Sequence, residues 1–260
     1  MHRMPAERGG RIRLIGAIPG KAVSLLRSFE LILFPSYCRI CSVFLSDPGE
    51  KIVCRSCWEQ VKPAASSHCL SCGRFFEGAG EPHLCASCLE DKPPFCVQRS
   101  FGKYRGKLKD VLLLGKFHGL PFLADELAKR VYAHLRFEEA LWWDLDALVP
   151  VPLHPKKERI RGYNIARIMA GRLGRLKGTD VLNKTLVKMK NTPPQMSLNL
   201  ADRAKSVKGA FGINKKERIE GKILLLIDDV YTTGATVREC ASVLMKAGAR
   251  EVRVVTAAQA

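Results

Sequence analysis

Four Cys-x-x-Cys pairs constrain this chain more than any other feature: Cys38 and Cys41, Cys54 and Cys57, Cys69 and Cys72, Cys85 and Cys88. The spacers between successive pairs are 12, 11 and 12 residues, which marks an internal duplication of one unit: pair, short hairpin, pair. In such a pair a tight turn brings two thiolates to one metal, so each unit offers the four soft ligands of a tetrahedral zinc. The expected partition is Cys38, Cys41, Cys54 and Cys57 for one zinc and Cys69, Cys72, Cys85 and Cys88 for the other, because each spacer suffices for a hairpin. Crossed pairing and disulfides are the alternatives; paired spacing of this kind is what metal sites use, and the sequence reads as lacking a secretory signal. His68 and His83 flank two of the pairs as substitute ligands, and Gly73 directly after Cys72 fits a turn that needs positive φ. The segments between the pairs are too polar to form a core. Zinc would therefore supply most of their folding free energy, on the order of 10 kcal/mol or more per site.

Of the ten cysteines only Cys96 and Cys240 fall outside this region, and the remaining length is ample for a second domain with its own core. The expected division is a basic segment and docking helix over 1–35, a cysteine-rich domain over 36–92, a linker at Glu90-Asp91-Lys92-Pro93-Pro94, and an α/β domain over 96–260. Apolar residues at 22, 25, 26, 29, 32 and 33, between Pro19 and Pro35, predict the docking helix over 19–34. Its uninterrupted apolar part, Leu31 to Phe34, is too short to span a bilayer; lying on a membrane surface is the minority alternative. A formal net charge of +18 points to an anionic partner, either nucleic acid or a phosphorylated substrate.

Within the α/β domain, Ile223-Leu224-Leu225-Leu226-Ile227 reads as a strand buried on both faces, and it ends in Asp228-Asp229. Val230-Tyr231-Thr232-Thr233-Gly234-Ala235-Thr236 follows, then an amphipathic helix with apolar residues at 237, 240, 241, 244 and 247 and Gly248 at its end. Strand, tight loop and helix put Asp228 to Thr236 at the carboxyl edge of a parallel sheet, where open α/β folds bind ligands. Gly234, the Thr hydroxyls and the helix N-terminus suit a phosphate. The two acids would repel that phosphate if aimed at it, and are better used accepting hydrogen bonds from sugar hydroxyls. Together they describe a pocket for a ribose 5-phosphate. A merely acidic turn is one alternative. A Walker B strand is another, but its P-loop partner is missing: Gly16 to Ala22 is one residue short and has Ala where a metal-binding hydroxyl belongs.

Further helices are predicted over 105–117, through Leu108, Val111, Leu112 and Gly115, and over 121–135. Ala147 to Pro152 is a short strand, and Leu153 to Asn164 a basic loop whose Lys156, Lys157, Arg159 and Arg161 can neutralise pyrophosphate at the same sheet edge, Arg161 as a fork. Leu182 to Met189 is expected as a strand, Asn191 to Leu198 as a proline-rich loop or hood, and Glu251 to Thr256 as the last strand. The fold class is α/β: a mostly parallel, doubly wound sheet preceded by a small cysteine-rich double zinc ribbon.

The stretch Leu225 to Thr236 closely resembles the phosphoribosyl-pyrophosphate (PRPP) loop of type I phosphoribosyltransferases. With the cysteine pairs, Val149-Pro150-Val151-Pro152-Leu153-His154, Arg161-Gly162-Tyr163-Asn164, Thr192-x-x-Gln195, Asp202-Arg203 and Gly209-Ala210-Phe211, residues 36 to 258 resemble the ComF family of competence-associated proteins. The resemblance implies that Asp228 and Asp229 hold the ribose hydroxyls and that Thr232, Thr233, Gly234, Ala235 and Thr236 anchor the 5-phosphate. It implies Mg²⁺ accompanying PRPP, with Lys156, Arg159 and Arg161 on the pyrophosphate. It further implies a role in DNA uptake, with single-stranded DNA and proteins of the uptake machinery as partners, in the cytoplasm or at the inner face of the membrane. Arg39, Arg55, Trp58 and Arg74, beside the cysteine pairs, are the candidate DNA contacts. Whether the domain is an active transferase stays open; a transferase acting on a small molecule or nucleobase, with purely structural zinc ribbons, is the alternative.

Overall fold

The computed structural model describes residues 36–47, 50–78, 80–192 and 206–260. The helix expected over 19–34 and the greater part of Asn191 to Leu198 lie outside them. The chain forms two units, residues 1–55 and 56–260. In the first, the Cys38 N–H donates to Val43 O and the Ser42 N–H to Cys38 O, both at 2.8 Å, closing the turn of the first pair. The second unit repeats the arrangement at the third pair: Cys69 N–H to Arg74 O and Gly73 N–H to Cys69 O, both at 2.9 Å. Residues 42 and 73 occupy the same place in the duplicated turn, with φ of 59° and 62°. Only at 73 is glycine required sterically, because a Cβ there would lie 2.4 Å from the carbonyl oxygen of Gln98. The second and fourth pairs each lead into one short helix, α1 (Arg55–Glu59) and α2 (Ala86–Glu90).

The α/β part of the second unit is built on β1 (Val97–Lys103), β2 (Ala147–Pro150), β3 (Asp180–Val181), β6 (Ile223–Tyr231) and β7 (Glu251–Gln259). They form one sheet in the order β1-β7-β6-β2-β3, with every neighbour parallel. The central place of β6 explains its unbroken apolar run: Ile223 to Ile227 are all buried, with side chains alternating between two covered faces. One face, with Leu224, Leu226, Val252 and Val254, packs on Val237, Cys240, Ala241 and Leu244 of α8 (Ala235–Lys246). The cysteines at 69, 72, 85 and 88 belong to this same buried cluster. Helices α3 (Gly106–Phe117), α4 (Phe122–Leu135), the short α5 (Glu139–Trp142) and α7 (Ile165–Lys177) complete the layering, α4 packing on α7 and on β1 and α7 on β2 and β6. Arg172 of α7 forks onto Asp125 of α4 at 2.7 and 2.6 Å, and these hydrogen bonds hold the carboxyl below its usual range.

Two expectations are corrected. The stretch read as a basic loop, Leu153 to Asn164, contains a helix, α6 (Pro155–Arg161). His154 caps it through Nδ1, accepting from the Lys156 N–H at 3.2 Å, Pro155 sits in the first turn, and Gly162 ends it at φ 82°. Leu182 to Met189 is not one strand: only Leu186–Lys188 (β4) is extended, paired antiparallel with β5 (Phe211–Ile213) outside the main sheet. Among the described residues no helix is long and apolar enough to cross a membrane.

Candidate functional site

Strand β6 delivers Asp228 and Asp229 to the carboxyl edge of the sheet, at the floor of a cavity of about 380 Å³. Its wall carries Val151 and Leu153 after β2, Lys157 and Arg161 from α6, Lys188 from β4, and Tyr104, Leu113, Lys116 and Phe117 from the β1–α3 segment. Thr232, Gly234 and Thr236 close it at the N-terminus of α8, where Gly234 adopts φ 79° and the Ala235 N–H donates to the Thr233 hydroxyl at 3.3 Å. The N-terminus of a helix suits an anion.

The two acids are not equivalent. Asp228 is half-buried and lines the cavity; one of its oxygens accepts the Asp229 N–H at 2.8 Å. Burial, followed by the charge of Asp229, pushes its carboxyl up to about 7. Asp229 is paired instead with Lys116, whose ammonium lies 3.0 Å away, both side chains being less than a fifth exposed. Burial disfavours the Lys116 charge, but Asp229 more than compensates and raises its pKa. Lys188 and Lys157 are lowered, chiefly by burial, and Lys157 donates to Thr192 O at 2.6 Å. Buried Asn164 holds the Val151 carbonyl at 2.9 Å, fixing the start of α7 against the end of β2.

Four cations, Lys116, Lys157, Arg161 and Lys188, thus face two carboxylates, an excess of positive charge fit for a phosphorylated ligand. Of the residues singled out in the sequence, Asp228, Asp229, Thr232, Gly234, Thr236, Lys157 and Arg161 line the cavity. Thr233 lines a small neighbouring notch, and Ala235 lines neither. Lys156 and Arg159 are exposed and do not line the cavity, because helical spacing puts Lys157 and Arg161, four apart, on its side of α6. Lys116, Lys188 and Tyr104 were not anticipated; each comes from an element remote in sequence from β6.

The eight cysteines form two clusters, 38, 41, 54, 57 and 69, 72, 85, 88, with the sulfurs in each within 4.8 Å of one another. Successive pairing is therefore the arrangement present, and the donor set fits a tetrahedral zinc in each. At Cys38 and Cys69 burial pushes the thiol up, yet backbone N–H groups outweigh it and bring both down to about 6. The Cys54 N–H reaches the Cys38 sulfur at 3.4 Å, and the Cys85 N–H reaches Cys69 at 3.3 Å. Burial instead raises Cys72 and Cys88. A metal removes this conflict by ionising all four. Freshly purified protein is expected to hold two zinc ions per chain by elemental analysis; one metal, or iron, would contradict the assignment. His83 stacks on Phe76 at 4.2 Å, and neither it nor His68 belongs to a cluster. Among the candidate DNA contacts, Arg39 and Arg74 are exposed, Arg55 pairs with Asp47 at 3.3 Å, and the Trp58 ring is covered by the Arg130 guanidinium at 4.8 Å.

Comparison with known proteins agrees with both parts. Residues 31–98 match the model of the double zinc ribbon domain, and residues 159–260 that of the phosphoribosyl transferase domain. The chain is 34% identical over 136 residues to Competence protein F of Haemophilus influenzae, covering 52% of this chain and 56% of that one. The chain thus combines the two matched domains and has homologues among the competence proteins. Other relatives are Competence protein ComFC of Streptococcus pneumoniae, 31% identical over 60% of this chain and 64% of that one, and DNA utilization protein YhgH of Salmonella typhi, 31% identical over 42% and 47%. The chain thus spans about half the length of the first curated relatives it matches.

Proposed function

We propose that the cavity binds PRPP with Mg²⁺ and that the chain serves DNA uptake, binding single-stranded DNA through its zinc ribbon and basic surface in the cytoplasm. The observation that carries this reading is the convergence of the acid pair, the Thr232 to Thr236 loop and four cations on one cavity at the carboxyl edge of the sheet. The relatives' names, competence and DNA utilization, support the cellular role. Asp228 and Asp229 accept from the ribose hydroxyls, the N-terminus of α8 takes the 5-phosphate, and Lys157 and Arg161 face the pyrophosphate. Mg²⁺, which takes carboxylate and phosphate oxygens, would bridge the ligand to the acid pair.

Calorimetric titration with Mg-PRPP, repeated with a saturating oligonucleotide, tests the reading. Binding is expected, with DNA shifting PRPP affinity by the same factor as PRPP shifts DNA affinity. Affinity for PRPP should rise between pH 6 and 8, because Asp228, at about 7, must be ionised to accept fully from a hydroxyl. No heat at any pH would sink the proposal.

A second reading, an active transferase, is favoured by the apolar wall of Tyr104, Leu113 and Phe117 beside the acid pair, which leaves room for an acceptor. Pyrophosphate release at enzyme-like rates with a nucleobase, and no coupling to DNA, would put this reading first.

A further inference from the structure

The turn of the second cysteine cluster and the ligand loop are built against each other. The thiols of Cys69, Cys72, Cys85 and Cys88 share one buried core with Tyr231, Val237 and Cys240, and the four thiols of the first cluster are not members of it. Cys72 and Cys88 meet Tyr231, Thr232 and Thr233 around a notch of about 80 Å³. Tyr231 is 7% exposed, and the loop folds straight over its ring: a Cβ on Gly234 would fall 2.2 Å from the phenol oxygen. The loop therefore rests on the phenol with no slack.

Backbone and side-chain ties hold this stack in place. The amide of Gln259, at the end of β7, donates to the Cys72 carbonyl at 3.3 Å, and the Gln98 N–H of β1 donates to Ser71 O at 2.7 Å. Arg238, in the first turn of α8, grips Asp91 just past the fourth pair, at 2.9 Å to its carboxylate and 2.8 Å to its carbonyl. The start of α8 and the strands β1 and β7 are thus fastened to the second ribbon.

We propose that the second metal site is part of the ligand pocket's scaffold, with Tyr231 as the positioning residue that passes the order of the Cys72–Cys88 turn to the Thr232–Gly234 backbone. The proposal rests on the reading of the cavity as a PRPP site. The four thiols at 69, 72, 85 and 88 lose their common anchor when the metal leaves, Tyr231 loses its backing, and the N–H groups of the loop lose their aim. Linkage requires the converse: a ligand that fixes the loop must slow loss of that metal. The two clusters, alike in sequence, then differ in function.

The test uses the intact, zinc-loaded chain. Zinc release to a chromophoric chelator is followed with and without saturating Mg-PRPP, a thiol-alkylating reagent and peptide mapping report which cysteines are uncovered, and calorimetry on the same sample records binding. One of the two zinc ions should leave about fivefold or more slowly with PRPP. The protected thiols should be Cys69, Cys72, Cys85 and Cys88. Tyr231→Phe, which keeps the ring, should retain the protection, and Tyr231→Ala should lose it while still releasing two zinc ions. PRPP that binds yet leaves both release rates unchanged, or slows both equally, overturns the scaffold role and leaves the pocket standing. PRPP that gives no heat removes the pocket reading, and this inference with it.

Discussion

A chain carrying both Asp228→Asn and Asp229→Asn should bind Mg-PRPP at least about a hundredfold more weakly than the parent. Each hydrogen bond to a charged acceptor contributes roughly 1.5–3 kcal/mol, and two such acceptors are lost together. The double variant also strips Lys116 of its partner at 3.0 Å, so the fold must be checked by zinc content and thermal melting. Asp228→Asn alone separates the two effects. Its carboxyl is raised to about 7 from an ordinary value of 3.8, so the folded chain holds a proton that the unfolded chain has released, and stability from this group falls as pH rises through that window. The single variant should therefore melt no lower than the parent at pH 8 while binding PRPP less well. Unchanged affinity in the double variant would remove the acid pair from the site.

Binding of single-stranded DNA should be dominated by phosphate contacts, since the net charge is +18 while aromatic residues are 7% of the chain. For about six phosphate contacts, affinity should fall on the order of 10²-fold or more between 50 and 200 mM salt, and base sequence should matter little. Filter binding or fluorescence anisotropy across that range measures the slope. The ring of Trp58 is already covered by Arg130, which argues against base stacking there. A flat salt response would take nucleic acid out of the account.

The parts legible in the sequence are those whose physics is local. Cysteine spacing announced both clusters, and the run Ile223 to Ile227 followed by Asp228-Asp229 and Thr232-Thr233-Gly234 announced a buried strand, a tight loop and a helix start. The conformation of the Leu153 to Asn164 stretch was legible in principle, because His154-Pro155 and Gly162 are a helix start and stop. Read as a loop, the stretch offered no way to choose among its cations; read as a helix, it selects Lys157 with Arg161. Lys116 and Lys188 were out of reach for a different reason. Lys116 meets Asp229 across more than a hundred residues of chain, and only the stacking of α3 beside the sheet edge brings them together.

If the cavity takes a phosphorylated sugar as proposed, that same ion pair would set a condition for entry. Two neighbouring carboxylates in an empty pocket would repel each other, and Lys116 discharges part of that repulsion before any ligand arrives. A visitor is then judged by what it offers in exchange for the ammonium. Inorganic phosphate or pyrophosphate can answer the cations at Lys157 and Arg161, but has nothing to give Asp229. On the proposed reading, a phosphorylated sugar would bring hydroxyl groups to take over the carboxylate and free Lys116 for a phosphate oxygen, and small anions lacking a sugar would bind more weakly.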